Sequence, residues 1–291
     1  MGVPTNSAGK SIGVACAPAA LRRAGMLKAL SKSNQAHDDG DVLFNLPPTT
    51  KRDPGSGIIA YGSLTQMIRT LRTRVSQTLL QNRFPVVTGG DCPILLGCLA
   101  GATQSFGPVG LYFIDGHEDA YLPHQSPTGE AADMELGFAL GVDVPPLIQE
   151  AVGDLLLNPD DVCMLGPRDK QVLQRAGVRS LDNGSIAYYD DAELRSATIL
   201  DLTRKLTRQM ASKVNRMWLH IDLDVLSTRS LPAVDYQQPG GLNWIQLEKI
   251  TKTILSSGNV IGMNLTIYNP DLDPDRRYAA RIVRFLQNVL C

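Results

Sequence analysis

Two short segments concentrate groups that bind cations. Asp115-Gly116-His117-Glu118-Asp119 follows the apolar run 109–114, and His220-Ile221-Asp222-Leu223-Asp224 closes the run that begins at Met217. Side chains two apart on an extended chain point the same way. Asp115, His117 and Asp119 therefore converge if the extended path continues past the strand, and Asp222 and Asp224 do the same. Such a gathering of carboxylates is unfavourable unless cations neutralise it. Two divalent metals would do so, and a paired site makes hydroxide from water at neutral pH. The competing reading of the first segment is a polar loop with a helix cap.

Other residues are less decisive. Gly89-Gly90-Asp91-Cys92-Pro93 reads as a tight turn from strand to helix, with Asp91 as the helix N-cap and Pro93 in the first turn. Cys92 is either a thiolate ligand or a small buried hydrophobe. His220 is a ligand, a buried histidine, or a partner that orients a carboxylate, and the last is the reading we adopt. The segment Ser126-Pro127-Thr128-Gly129-Glu130, with Asp133 and Glu135, is either a rim that meets substrate or the start of a helix. His124 reads as an exposed loop histidine rather than a proton shuttle. Gly9-Lys10-Ser11 lacks the upstream glycine of a phosphate-binding loop, because Pro4 stands there.

The elements that must position these residues alternate. Apolar strand-like runs cover 84–88, 109–114, 162–165, 217–221 and 260–267, and residues 1–4 resemble the end of a further strand. That first strand is short, or the recorded start lies inside the natural one. Helical patterns lie between, at 58–82, 93–103, 200–213, 244–256 and 276–289. Alternation of this kind implies a parallel sheet covered on both faces, with ligands beyond the carboxyl ends of its strands. Each motif above falls at such an end. No repeat or interdomain linker is evident. The stretch 45–56, with three prolines, is the most loop-like.

The 291 residues carry a net charge of −1, with acids and bases mixed. No basic footprint for nucleic acid and no polybasic membrane patch is present. No apolar run approaches the roughly 20 residues that span a bilayer. The start lacks the pattern of a secretory signal. Five unclustered cysteines fit a reducing cytoplasm better than a disulfide scaffold.

Together these motifs resemble the arginase–agmatinase (ureohydrolase) family of two-metal hydrolases. The resemblance starts at Gly2-Val3-Pro4-Thr5-Asn6-Ser7-Ala8-Gly9, continues through Gly13-Val14-Ala15, Pro18-Ala19-Ala20-Leu21-Arg22, Gly89-Gly90-Asp91 and both acidic segments, and ends at Asn269-Pro270. It implies one α/β domain over residues 1–291, a three-layer α/β/α fold with a parallel, roughly eight-stranded sheet. It also implies two divalent ions, a small-molecule substrate and a homo-oligomer, a trimer or hexamer. The ions implied are manganese, with zinc admitted by Cys92. Carried onto this chain, Asp115 and Asp222 bridge the metals, Asp119 and Cys92 join the first, and His117 and Asp224 join the second. A bridging hydroxide held by Asp119 would attack a guanidino or amidino carbon and break its C–N bond. Thr128, Gly129 and Glu130 would contact substrate.

Four departures stand out. Cys92 occupies the place of a ligand histidine, and a thiolate is softer and favours zinc. Ile267 replaces a glutamate that grips guanidinium. The histidine near the substrate falls at Ala132 or Asp133, where Asp133 is the electrostatic substitute, and Gln171 stands where an acid is expected. These changes leave a second reading open, a relative without catalysis that serves as a binding or oligomer-forming subunit.

Overall fold

The structure, a computed structural model, describes residues 1–33, 35–44, 49–155, 157–182, 184–195 and 198–291. Residues 45–48 of the expected loop 45–56 lie outside these.

Seven parallel strands form one sheet: β1 (Gly2–Val3), β2 (Val86–Gly89), β3 (Gly110–Ile114), β4 (Val162–Leu165), β5 (Ala187–Tyr189), β6 (Met217–Asp222) and β7 (Val260–Thr266). Their order is β1-β2-β7-β6-β3-β4-β5. The two strands that carry the acidic segments, β3 and β6, are neighbours at the centre, in register from Gly110–Met217 to Ile114–Ile221. Among the described residues the sheet has one strand fewer than the expected eight. Beyond β1 the pairing shrinks to a single parallel bridge between Gly2 and Asp41, because the flanking Asp38-Asp39-Gly40 offers no run of β-forming residues.

Side-chain alternation sends the two halves of each central strand to opposite cores. Leu111 and Phe113 of β3, with Trp218 of β6, pack under helices α1 (Tyr61–Leu80) and α2 (Ile94–Phe106). Tyr112 and Ile114, with Leu219 and Ile221, pack under α3 (Ile199–Lys213), α4 (Trp244–Leu255) and α5 (Arg277–Leu290). Burial on both faces is why these strands read as continuous apolar runs. The result is the expected three-layer arrangement.

Several boundaries moved for local reasons. The first long helix begins at Tyr61 rather than 58, because Ile59 is drawn into an antiparallel bridge with Arg52 and donates to the Gly129 carbonyl. Asp91 is not a helix cap. Pro93 occupies the N-cap position of α2, and the Asp91 carboxylate instead accepts from the backbone N–H and hydroxyl of Ser7. This tie requires Gly90, since a Cβ there would overlap the Thr5 carbonyl.

Candidate functional site

Both acidic segments leave their strands by the same device. Asp115 follows the last residue of β3, and its Oδ1 accepts the His117 backbone N–H at 2.7 Å. Asp222 is the last residue of β6, and its Oδ1 accepts the Asp224 N–H at 2.6 Å. The chain therefore turns at each aspartate, and Asp224 lies in the 3-10 turn Leu223–Val225 instead of on an extended strand. Convergence comes from these Asx-type turns, where alternation along a strand had been expected.

The side chains meet nonetheless. Asp224 reaches across to the first segment, its Oδ2 2.8 Å from His117 Nδ1 and its Oδ1 3.0 Å from the Gly116 N–H. Any Cβ at Gly116 would lie 2.6 Å from that oxygen, so only glycine admits the approach. Cys92 donates to Asp222 Oδ2 at 2.6 Å and lies 3.1 Å from the Thr266 hydroxyl. Donor atoms of Asp115, His117 and Asp224 lie within 4.8 Å of one another, as do those of Cys92, Asp115, Glu135 and His220. Asp115 belongs to both groups.

Asp119 enters by a different route. Its backbone is left-handed, φ 45°, a conformation aspartate tolerates. Its carbonyl accepts the N–H groups of Leu136 and Gly137 at 3.1 Å each, at the start of helix Glu135–Ala139. This contact brings the Glu135 carboxyl against that of Asp119. Burial, then the charge of Glu135, pushes Asp119 well above the usual carboxylate range, and burial raises Glu135 likewise, with the charge of Asp115 adding to it and a hydrogen bond with Asp119 opposing it. Burial followed by Asp224 and Asp115 raises Asp222 likewise. Burial alone would lower His117, but Asp224 and Asp115 outweigh it and hold the imidazole well above its ordinary value.

His220 is settled by a chain of donors. Trp218 Nε1, which can only donate, gives its hydrogen to Asn264 Oδ1 at 2.8 Å. The Asn264 amide nitrogen then faces His220 Nδ1 at 2.7 Å and donates to it. Nδ1 is thus an acceptor, so the ring proton sits on Nε2, which lies 3.4 Å from Asp115 Oδ2 without forming a hydrogen bond. The ring is also stacked on Phe113, centroids 4.7 Å apart. His220 lies against Asp115 and has no free lone pair with which to hold a metal.

The other expected residues sit in the loop before helix Glu135–Ala139. Asp133 is held by the hydroxyls of Ser126 at 2.9 Å and Thr128 at 2.8 Å, and burial raises its carboxyl to about 6. The Thr128 hydroxyl also accepts the Glu130 N–H, and the Ser126 hydroxyl accepts that of Gly129. Glu130 receives the Tyr236 hydroxyl at 2.8 Å. Gly129 has φ +76°, with the Arg52 guanidinium over it. His124 is exposed. Ile267 is buried with φ +68°, a strained backbone for a β-branched residue.

The donor set suits a cation. Buried oxygens of Asp115 and Glu135 have no hydrogen-bond partner, and carboxylates, imidazole and thiol are the usual ligands of first-row divalent metals. Unpaired buried acids of this kind are costly without such an ion.

The comparisons agree with this architecture. A family model described as the arginase family matches residues 1–291. The chain belongs to the arginase family. It is a hydrolase of the kind that acts on amidino and guanidino C–N bonds, in a metal-dependent family. An arginase of Staphylococcus aureus (strain MRSA252) is 24% identical over 97% of this chain and 93% of its own. The solved arginase of Bacillus caldovelox superposes with a TM-score of 0.87 at 23% identity, over 99% of this chain and 96% of that one. A formimidoylglutamase from Bacillus subtilis subsp. subtilis str. 168 superposes with a TM-score of 0.72 at 19% identity, over 99% and 84%. These two superpositions speak to the fold.

Sequence reasoning missed the importance of Glu135. A signal was present, since a carboxylate between Met134 and Leu136-Gly137-Phe138 interrupts an apolar run.

Proposed function

We propose that this arginase-family chain is a two-ion metallohydrolase that breaks a C–N bond in a guanidino or amidino compound other than arginine. One observation carries this reading: Asp115 is common to two groups of buried donors that cations would balance. Asp115, Asp222, Asp119 and Cys92 would hold one ion, and Asp115, Asp222, His117 and Asp224 the other. When bound, the ions would supply a hydroxide nucleophile from water at neutral pH and electrostatic stabilisation of developing charge.

The chain's own residues then have separable tasks. Asp119, already well above the usual carboxylate range, is suited to exchange a proton with the nucleophile. Asp133, at about 6, is poised to take or give one near neutral pH. The turn 128–130 is fixed by its own hydrogen bonds and would present backbone groups of Thr128 and Gly129, and the Glu130 carboxylate, to substrate. Ile267 gives a cation nothing to pair with, which favours substrates recognised through other groups. Manganese fits the oxygen-rich half of the site, and Cys92 makes zinc the alternative for the other half. We read residues 1–291 as one domain acting in the cytoplasm as a trimer or hexamer. Light scattering on the purified chain measures the last.

The test is direct. Manganese-loaded protein is offered guanidino acids, guanidino amines, N-hydroxyguanidines and formimino compounds, and release of urea, amine or formamide is followed. Turnover of one class above a metal-free control is the expected result. Two bound ions with no turnover across the panel would favour a binding protein.

A further inference from the structure

Glu135 is a carboxylate for which the reading above has no use. It is wholly buried, between the buried side chains of Met134 and Leu136, and neither of its oxygens has a hydrogen-bond donor other than a proton shared with the Asp119 carboxyl. A buried acid of this kind needs either a proton or a cation. The donor atoms facing it, within 4.8 Å, are Cys92 Sγ, an Asp115 oxygen and a His220 nitrogen. The relay from Trp218 through Asn264 removes the last, because it leaves the ring proton on His220 Nε2 and no lone pair there. Cys92, Asp115 and Glu135 remain, with Asp115 Oδ2 also lacking a hydrogen-bond partner.

We propose that Glu135 is a metal ligand, adding a further carboxylate to the buried position for a divalent cation that Cys92 and Asp115 line. The proposal rests on the two-ion reading and adds a residue to it. It explains how the site keeps an ion although cysteine stands at position 92. A thiolate is a softer donor than an imidazole, and a further carboxylate opposite it adds a hard, negatively charged donor to that half of the site. The competing role is structural: Glu135 and Asp119 share one proton and pin helix Glu135–Ala139 to the first acidic segment.

Cobalt(II) is the probe, because a bound thiolate then adds a near-ultraviolet charge-transfer absorption. The full chain is loaded with cobalt, and ions per chain, that absorption and the thermal midpoint with and without cobalt are measured. The wild type is expected to bind two ions, show the absorption and gain thermal stability on loading. Glu135→Gln keeps the size and can donate to Asp119, so its metal-free midpoint should hold or rise. One of its two sites should weaken at least tenfold, and the absorption should fade with it. A Glu135→Gln protein that binds two cobalt ions with unchanged affinity and absorption overturns the proposal and leaves the two-ion reading intact. A wild type that binds none overturns both. Should Glu135→Gln fail to fold, Glu135→Asp decides instead: weaker cobalt binding at an unchanged metal-free midpoint supports ligation, and unchanged binding refutes it.

Discussion

Asp115 and Asp222 follow directly on the register pair Ile114 and Ile221 of two adjacent parallel strands, and each accepts the backbone N–H two residues further on. The carboxylates are thus fixed by the main chain, independently of any ion. Asparagine can accept the same backbone hydrogen, so Asp115→Asn and Asp222→Asn should fold. Each should lose roughly a hundredfold or more in metal affinity, beyond the 10- to 100-fold typical of residues that merely support ligands. Elemental analysis after dialysis checks this, and wild-type ion content in Asp115→Asn would contradict its shared position.

The Trp218–Asn264–His220 relay makes a separate prediction. Asn264→Ala leaves the Trp218 hydrogen and the His220 Nδ1 lone pair unmatched in a buried site, at a cost of about 1–3 kcal/mol. It also frees the tautomer, so that the ring facing Asp115 is no longer fixed. Metal affinity should fall about 10- to 100-fold, measured by titration calorimetry. A stability loss without a change in affinity would assign the relay to packing alone.

Cys92 should govern the choice of ion. Serine at this position keeps a donor for Asp222 but removes the soft ligand. Zinc affinity of Cys92→Ser should drop by roughly tenfold or more while manganese affinity changes less, because manganese prefers oxygen. Competition dialysis with both metals reads the ratio.

The pH response of the metal-free protein has a definite sign. Asp91, Asp133 and Asp169 are raised by burial from 3.8 to about 6, and Asp119, Glu135 and Asp222 are raised further. A carboxyl raised in the folded state binds its proton more tightly there than in the unfolded chain. Its stabilising effect is complete below the unfolded value, near pH 4, and is lost as pH rises through the folded value. The lowered carboxyls Asp38, Asp53 and Asp115 act oppositely but are fewer among these. The metal-free thermal midpoint should therefore fall between about pH 4 and 7. Metal affinity should climb over the same range, since ligands must deprotonate. Calorimetric scans with and without metal would show the two trends crossing.

The sequence showed what has a period or a dense signature. The doubly buried strands β2, β3, β4, β6 and β7 announced themselves as apolar runs, and α1 to α5 as long helical patterns. Strand β5, three half-buried residues on the far edge, has no such pattern, and β1, with only two residues, showed just as the end of a strand at 1–4. Short helices such as Ala17–Arg23 and Pro146–Val152 span too few turns to display one. In the site, Asp115, His117, Asp222 and Asp224 were legible as types and spacings. The turn that makes them converge was not, because an Asx contact depends on where the strand stops. Asp91 looked like a cap by position, yet Ser7, 84 residues earlier, claims it; no local window contains that contact. Glu135 was read only as part of a substrate rim or a helix start, because its significance lies in its buried surroundings.

The main-chain grip on Asp115 and Asp222 means that the cage stands ready before its guest arrives. Entry of an ion would then rearrange protons far more than atoms. The Cys92 thiol hydrogen and the hydrogens carried by the crowded acids would be expelled into solvent as the charge moves in. Filling the cage would acidify a weakly buffered solution, at a pace set by how quickly the ion sheds its own water.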